Sequence, residues 1–370
     1  MKILSISNCP LNESQGSGYV VVNFSQRLRQ FGHEVDNFAP DDYEPLQFLR
    51  GRANNYRLAL GMLPFTLQKL QQKSYDIIEF YGADAWFTIY VLSRFWKNKY
   101  LLVHHSNGIE NQFNAVLKQY SQLQDTSQKW YQLDQSLLFQ YAFREVQGII
   151  TQSDYDRHYA LQQNYQDADH VLTIPSGLSK DYLGLNVDFT RPPVIGYCGS
   201  WIARKGIKTI QQDIPQILQD FPDSQLVLIG VGEDFRIADY FPTTVQSQIK
   251  VIPFVANKQE LAQLYQTLSI VIVPSLYESF GLVTAEAMAC GCAVVASRVG
   301  YAVGRQHQEE IYLLDSPTSP YLYEAVKTLL ANETLRLKIA QHGYQAVQGL
   351  TWENAIARLE QVYQHWLKQQ

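Results

Sequence analysis

Glu278 and Glu286 stand eight residues apart with Gly281 between them, in the segment IVIVPSLYESFGLVTAEAMACGCAVVAS that begins at Ile270. Carboxylates accept hydrogen bonds from hydroxyls, so two of them spaced along one ligand suit a molecule rich in hydroxyls. The β-branched run Ile270 to Val273 reads as a buried parallel strand, and Pro274-Ser275 ends it at the edge where doubly wound sheets bind ligands. Leu282 to Ala289 is small, apolar and helix-permissive. The N–H groups of Phe280, Gly281 and Leu282 are therefore expected at a helix start facing that edge, where they favour an anion such as phosphate. Glu278 then lies in the loop and Glu286 more than a turn inside the helix. With Glu286 on two ribose hydroxyls and Glu278 on the hydroxyls of a second sugar, the arrangement fits a nucleotide-sugar.

The elements that must position these groups follow from length and pattern. A chain of 370 residues with 46% hydrophobic content is long for one core and ample for two domains. Strand-like runs at Lys2 to Ile6, Asp76 to Phe80, Tyr100 to Val103, Gly148 to Thr151 and Val171 to Ile174 alternate with helical stretches, the rhythm of a doubly wound parallel sheet. The rhythm pauses at Leu183 to Pro193, which reads as the linker. It resumes with Val194 to Cys198, Gln225 to Ile229, Lys250 to Ile252, Ile270 to Val273 and Ala293 to Ala296. The expected domains are residues 1–185 and 186–350. The remaining 351–370 forms an amphipathic helix with Trp352, Ile356, Leu359, Val362, Tyr363 and Trp366 on one face.

A formal net charge of −5 excludes a general nucleic-acid binder, whose affinity rests on clustered Lys and Arg. The amino-terminal MKILSISNCPLNES is too soon polar for a signal peptide, and no stretch of about 18 apolar residues follows, so a cytoplasmic protein is expected. Cys9, Cys198, Cys290 and Cys292 lack zinc spacing and read as reduced core thiols. Arg94, Trp96, Lys97 and Lys99 suit either a solvated helix end or weak peripheral contact with an anionic membrane. Gln15-Gly16-Ser17-Gly18 resembles a dinucleotide fingerprint only in part. Val21 occupies the place of its third glycine, which argues against a dehydrogenase.

The E-x7-E segment, with E-S-F-G-L and E-A-M-A-C-G, resembles the signature of the retaining, GT-B-fold glycosyltransferases of family 4, also called group 1. Gly199-Ser200-Trp201-Ile202-Ala203-Arg204-Lys205-Gly206 resembles the family's G-R-(x4)-K-G, with Gly199, Lys205 and Gly206 matching and Ser200 in place of the arginine. Gly16, Ser17 and Gly18 resemble its amino-terminal glycine-rich loop, and Gly32-His33-Glu34-Val35 its G-H-E-V. The family commonly places a histidine before the glycine of Asn107-Gly108. Here it is asparagine, with His105 two residues earlier, so an acid/base role at this site is not carried over. Ile174-Pro175-Ser176-Gly177 resembles a structural turn, and a T-W-E like Thr351-Trp352-Glu353 precedes a helix that returns to the first domain.

The resemblance implies two Rossmann-like domains facing a central cleft, the first on the acceptor side and the second holding the donor. It implies a retaining hexosyltransferase using a nucleoside-diphosphate sugar, UDP by family frequency, on a sugar, lipid-linked or small-molecule acceptor. The residues so implicated are Lys205, Glu278, Asn107 and His105 for the chemistry. Gly16, Ser17, Gly18, Ser200, Arg204, Lys205, Glu278, Phe280, Gly281, Leu282 and Glu286 are implicated for the donor. No metal or cofactor is expected, because Asp154-Tyr155-Asp156 reads as helix-start acids and Asp167-Ala168-Asp169 as a polar turn rather than as cation ligands. A noncatalytic nucleotide-sugar-binding subunit and a nucleotide-sugar epimerase remain the alternative functions.

Overall fold

The computed structural model describes residues 1–12, 16–44, 56–96, 98–123 and 135–370; Gln15 and Lys97 lie outside them. The chain divides into two compact units. Among the described residues, unit 1 gathers 1–115, 135–177 and Trp352–Gln370, while unit 2 gathers Leu178–Thr351 with 116–123.

Unit 1 contains β1 (Lys2–Ser7), β2 (Glu34–Phe38), β3 (Ile77–Tyr81), β4 (Leu101–His105), β5 (Gly148–Thr151) and β6 (Val171–Thr173), in the order β2-β1-β3-β4-β5-β6. Every pairing is parallel. Strands buried on both faces need apolar or satisfied residues throughout, which is why β3, β4 and β5 are buried along their whole length. β2 was not legible as a strand because EVDNF is an edge with a single buried residue, Val35.

Unit 2 repeats the plan with β7 (Val194–Cys198), β8 (Gln225–Ile229), β9 (Ile249–Ile252), β10 (Ile270–Val273), β11 (Ala293–Ser297) and β12 (Tyr312–Leu314). The order is β12-β11-β10-β7-β8-β9, again parallel throughout. The three-residue edge β12 is too short to stand out in a sequence pattern. Strand order reverses between β7 and β10, and at such a switch point neighbouring loops leave for opposite faces and open a ligand crevice at the carboxyl edge.

The segment Leu183 to Pro193, expected as the linker, packs within unit 2. Arg191 is only 9% exposed, and its guanidinium donates to the carbonyls of Leu268 (2.8 Å) and Cys290 (2.7 Å), which lie beyond the carboxyl ends of two helices. A cation there satisfies carbonyls that a helix end leaves open.

Helix Trp352–Gln369 belongs to unit 1 and buries Trp352, Ala355, Ile356, Leu359, Val362, Tyr363 and Trp366, the stripe that helical spacing predicts. Trp352 meets Phe24 edge-on with centroids 5.0 Å apart. The Tyr363 hydroxyl donates to the fully buried Glu79 of β3. Trp366 lies over β5, where a Cβ at Gly148 would come within 2.2 Å of its ring. Gly148→Ala must therefore shift a closely packed indole, and overpacking of this kind costs about 1–3 kcal/mol. A urea midpoint lowered correspondingly is the expected result; an unchanged midpoint would show that the indole moves freely.

Candidate functional site

The loops after β7 and β10 meet at the switch point of unit 2. Glu278 is 8% exposed, and its Oε1 accepts from Lys205 Nζ at 2.6 Å and from Ser275 Oγ at 2.8 Å. Arg204 Nη1 lies 3.4 Å from Glu278 Oε2 and donates to the Tyr277 carbonyl at 3.0 Å. A backbone bond joins the same loops, from Leu276 N–H to the Arg204 carbonyl at 2.8 Å.

Glycine makes this approach possible. Gly206 adopts φ +77°, and a Cβ on it would lie 2.0 Å from the Pro274 carbonyl oxygen. Gly300, beyond β11, performs the same service from the other side, since a Cβ there would fall 2.4 Å from the Phe280 carbonyl oxygen, which Tyr301 N–H bonds at 2.6 Å. Sequence reasoning gave Ser275 no role beyond ending the strand and did not single out Gly300. The available signal was their position, each just past the end of a strand of this sheet.

Gly281, at φ +85°, is the residue before helix Leu282–Ala289, and Glu286 lies within that helix. The environments of the two acids diverge. Burial pushes the Glu278 carboxyl up, but the charges of Lys205 and Arg204 with the bonds from Lys205 and Ser275 outweigh it and hold the group below its usual range. For Glu286 burial prevails and raises the carboxyl to about 7, against weaker opposition from Lys258, the Tyr265 hydroxyl and Lys205. Neighbouring acids driven apart in this way are common at functional sites. Burial also pushes the Cys198 and Cys292 thiols up to about 12, which keeps them from being nucleophiles.

The Ser200 side chain is exposed, while its carbonyl accepts from the Tyr197 hydroxyl at 2.8 Å. The structure thus brings Lys205, Arg204, Glu278, Phe280, Gly281, Leu282 and Glu286 into one region of unit 2.

Unit 1 holds the others. Gly16, Ser17 and Gly18 are the first turn of helix Gly16–Gln30 rather than a loop ahead of it. Gly18 has room for no side chain there, because a Cβ on it would meet the Pro10 carbonyl oxygen at 2.4 Å. Asn107 follows β4, and its Oδ1 accepts from Gln152 Nε2 at 2.7 Å. His105 is wholly buried, stacked on Tyr81 and 2.9 Å from its hydroxyl through Nδ1, with Glu79 at 3.7 Å. His104 is also wholly buried, and desolvation together with His105 lowers it to about 3, so it is neutral. Asp154 and Asp156 sit in the first turn of helix Asp154–Gln162, and Asp167 accepts from the N–H groups of Asp169 and His170. Arg94 pairs with Glu145 at 2.7 Å, and among the described residues no helix is long and apolar enough to cross a membrane.

The family described as "Glycosyl transferases group 1" matches residues 192–332, and that described as "Glycosyltransferase Family 4" matches residues 14–182. An uncharacterized glycosyltransferase of Methanocaldococcus jannaschii is 27% identical over 61% of this chain and 62% of its own. The phosphatidyl-myo-inositol mannosyltransferase of Mycobacterium leprae is 26% identical over 60% and 59% respectively, so the chain spans about three fifths of the length of these relatives. In fold it resembles a sucrose-phosphate synthase from Thermosynechococcus elongatus, with TM-score 0.78, 20% identity and all of both chains covered. It likewise resembles Anabaena HepE in complex with UDP and glucose, with TM-score 0.68, 17% identity and coverage of 98% of this chain and 99% of that one.

Because the raised Glu286 carboxyl binds its proton more tightly folded than unfolded, its contribution to stability is full below about pH 4.5 and is lost as pH rises through about 7. Glu286→Gln should remove a decline of about 2 kcal/mol across that window. Urea titrations of both proteins at pH 5 and pH 8 measure it, and parallel pH dependence would mean that Glu286 is solvated.

Proposed function

The chain belongs to the group 1, family 4 glycosyltransferases, and we propose that it moves a hexose from a nucleoside-diphosphate sugar to an acceptor hydroxyl with retention of configuration. The observation that carries this reading is the convergence of Lys205 and Arg204 on Glu278 beside the start of helix Leu282–Ala289. Cations, a helix N-terminus and an ionised carboxylate together complement a diphosphate joined to a hydroxylated ring.

Breaking the anomeric C–O bond places negative charge on the leaving diphosphate, so groups that hold it more strongly as that charge grows accelerate the step. The helix dipole contributes at most about 2 kcal/mol, whereas loss of one preorganised donor costs about 3–4 kcal/mol. Lys205 is therefore the principal stabiliser. Glu278 keeps it in place before the donor arrives and takes hydroxyls of the transferred sugar, while Glu286 takes the ribose. Arg204 is committed to the Tyr277 carbonyl and braces the loop, so it only partly replaces the charge that Ser200 lacks.

Attack from the face the diphosphate leaves delivers retention, with the acceptor proton passing to the departing phosphate oxygen. This step asks no protein base of unit 1. A UDP-sugar donor is supported by Anabaena HepE, which was solved with UDP-glucose. A hydroxyl acceptor carried on a lipid or a small molecule is supported by the phosphatidyl-myo-inositol mannosyltransferase and D-inositol 3-phosphate glycosyltransferase relatives.

Incubation with a panel of nucleotide-sugars and inositol- or hexose-type acceptors, with the product anomer read by NMR, tests the reading. Retention and undiminished activity in a chelator are the expected results; inversion or a manganese requirement would refute it. Lys205→Ala should lower kcat by two to three orders of magnitude, or roughly 3–4 kcal/mol. Turnover within about threefold of wild type would shift the principal role to Arg204.

A further inference from the structure

Tyr197, on β7, is only 2% exposed and lies in an apolar core of unit 2. Phenylalanine would fill that space equally well, and a buried hydroxyl is costly unless it is bonded. Here it is bonded to the turn that follows the strand, donating to the Ser200 carbonyl at 2.8 Å. Burial pushes the phenol up, so it remains a neutral donor.

This bond leads to Lys205. The Ser200 carbonyl also accepts from the Ile202 N–H at 3.0 Å, and the Ile202 carbonyl in turn accepts from the Lys205 N–H at 2.9 Å. Three hydrogen bonds thus connect a side chain of the sheet to the backbone of Lys205. The turn needs such an anchor, because it runs from Gly199 (φ +137°) to Gly206 (φ +77°), and glycine leaves the chain its greatest conformational freedom. Trp201 supplies a second one, with its ring centroid 5.0 Å from that of Phe235 and 5.5 Å from that of Tyr197. Ring packing restrains where the turn lies, while the hydroxyl fixes how its peptide groups point.

We infer that Tyr197 is a positioning residue for sugar transfer, whose hydroxyl holds the turn 199–206 so that Lys205 meets the donor's diphosphate without rearrangement. A lysine stem is flexible, so its ammonium is a preorganised group only when both ends are held. Glu278 holds the ammonium end and Tyr197 the backbone end. Being buried, Tyr197 acts through Lys205 rather than on the substrate. The inference rests on the glycosyl-transfer reading and deepens it by naming what keeps its principal cation in place.

Tyr197→Phe removes the hydroxyl and keeps the ring, and the Ser200 carbonyl retains the Ile202 N–H, so no buried group is orphaned. The thermal midpoint should therefore stay close to wild type, while kcat falls by roughly tenfold or more with KM little changed. In the Lys205→Ala protein the same substitution should change kcat by less than about twofold, because residues that act through one another are not additive. An equal fall in both backgrounds, a folded Tyr197→Phe enzyme within about twofold of wild-type kcat, or activity lost through a midpoint below the assay temperature overturns the inference. Crystal structures of the wild-type and Tyr197→Phe proteins read the turn without an assay. A displaced turn with Lys205 withdrawn from Glu278 is expected; a turn and ion pair unchanged from wild type overturn the inference. If the wild-type protein transfers no sugar, the functional reading fails, and the two crystal structures still decide whether Tyr197 sets the place of Lys205.

Discussion

A carboxylate as buried as that of Glu278 is tolerable only in the company of donors. Its donors come from two loops far apart in the chain: Ser275 lies in its own loop, while Lys205 and Arg204 lie in the loop after β7. This requirement organises the rest of unit 2. The loops can meet only because β7 and β10 are neighbours in the sheet, and β7 and β10 are neighbours only because strand order reverses there. The backbone can come close enough only because Gly206 has no side chain to strike Pro274. Topology, glycine and ion pair are thus three expressions of one constraint.

The same constraint gives the two glutamates different work. Glu278 is buried but matched by charge and stays ionised, whereas the half-buried Glu286 feels Lys258 and Lys205 more weakly than desolvation, and its carboxyl is raised to about 7. Coulombic compensation falls off with distance, and Glu278 has two cations within 4 Å. An ionised acid holding a lysine in place and a second acid able to donate or accept are suited to different parts of one ligand.

Unit 1 depends on a part of the chain that returns to it after the whole of unit 2. Helix Trp352–Gln369 presents a strongly apolar face that cannot remain in water, and Phe24, Gly148 and Glu79 supply its counterpart. Gly177 and Trp352 mark the exit and the return, and they are in contact: a Cβ on Gly177 would lie 2.4 Å from the Trp352 nitrogen. Coupling of this sort means that unit 1 is complete only with the carboxyl-terminal segment in place.

Much of this was legible in the residues. Ten of the strands announced themselves as apolar runs, because buried parallel strands leave strong local patterns, and the E-x7-E spacing and the resemblance to K-G singled out Glu278, Glu286 and Lys205, which the structure brings into one region of unit 2. The edge strands left none, β2 because it is polar and mostly half-exposed and β12 because it is only three residues long. Gly16 to Gly18 look like a loop by composition, yet they lie in the first turn of a helix, where Gly18 packs against Pro10. Residue type alone left His105 open to a role in the chemistry, yet tertiary structure encloses it, with His104, in the interior of unit 1. Local sequence determined which segments would be strands and helices and which residues carried usable chemistry. Which side chains touch and which acid is charged were decided by segments distant in the chain, since burial and hydrogen-bond partners are properties of neighbours in space.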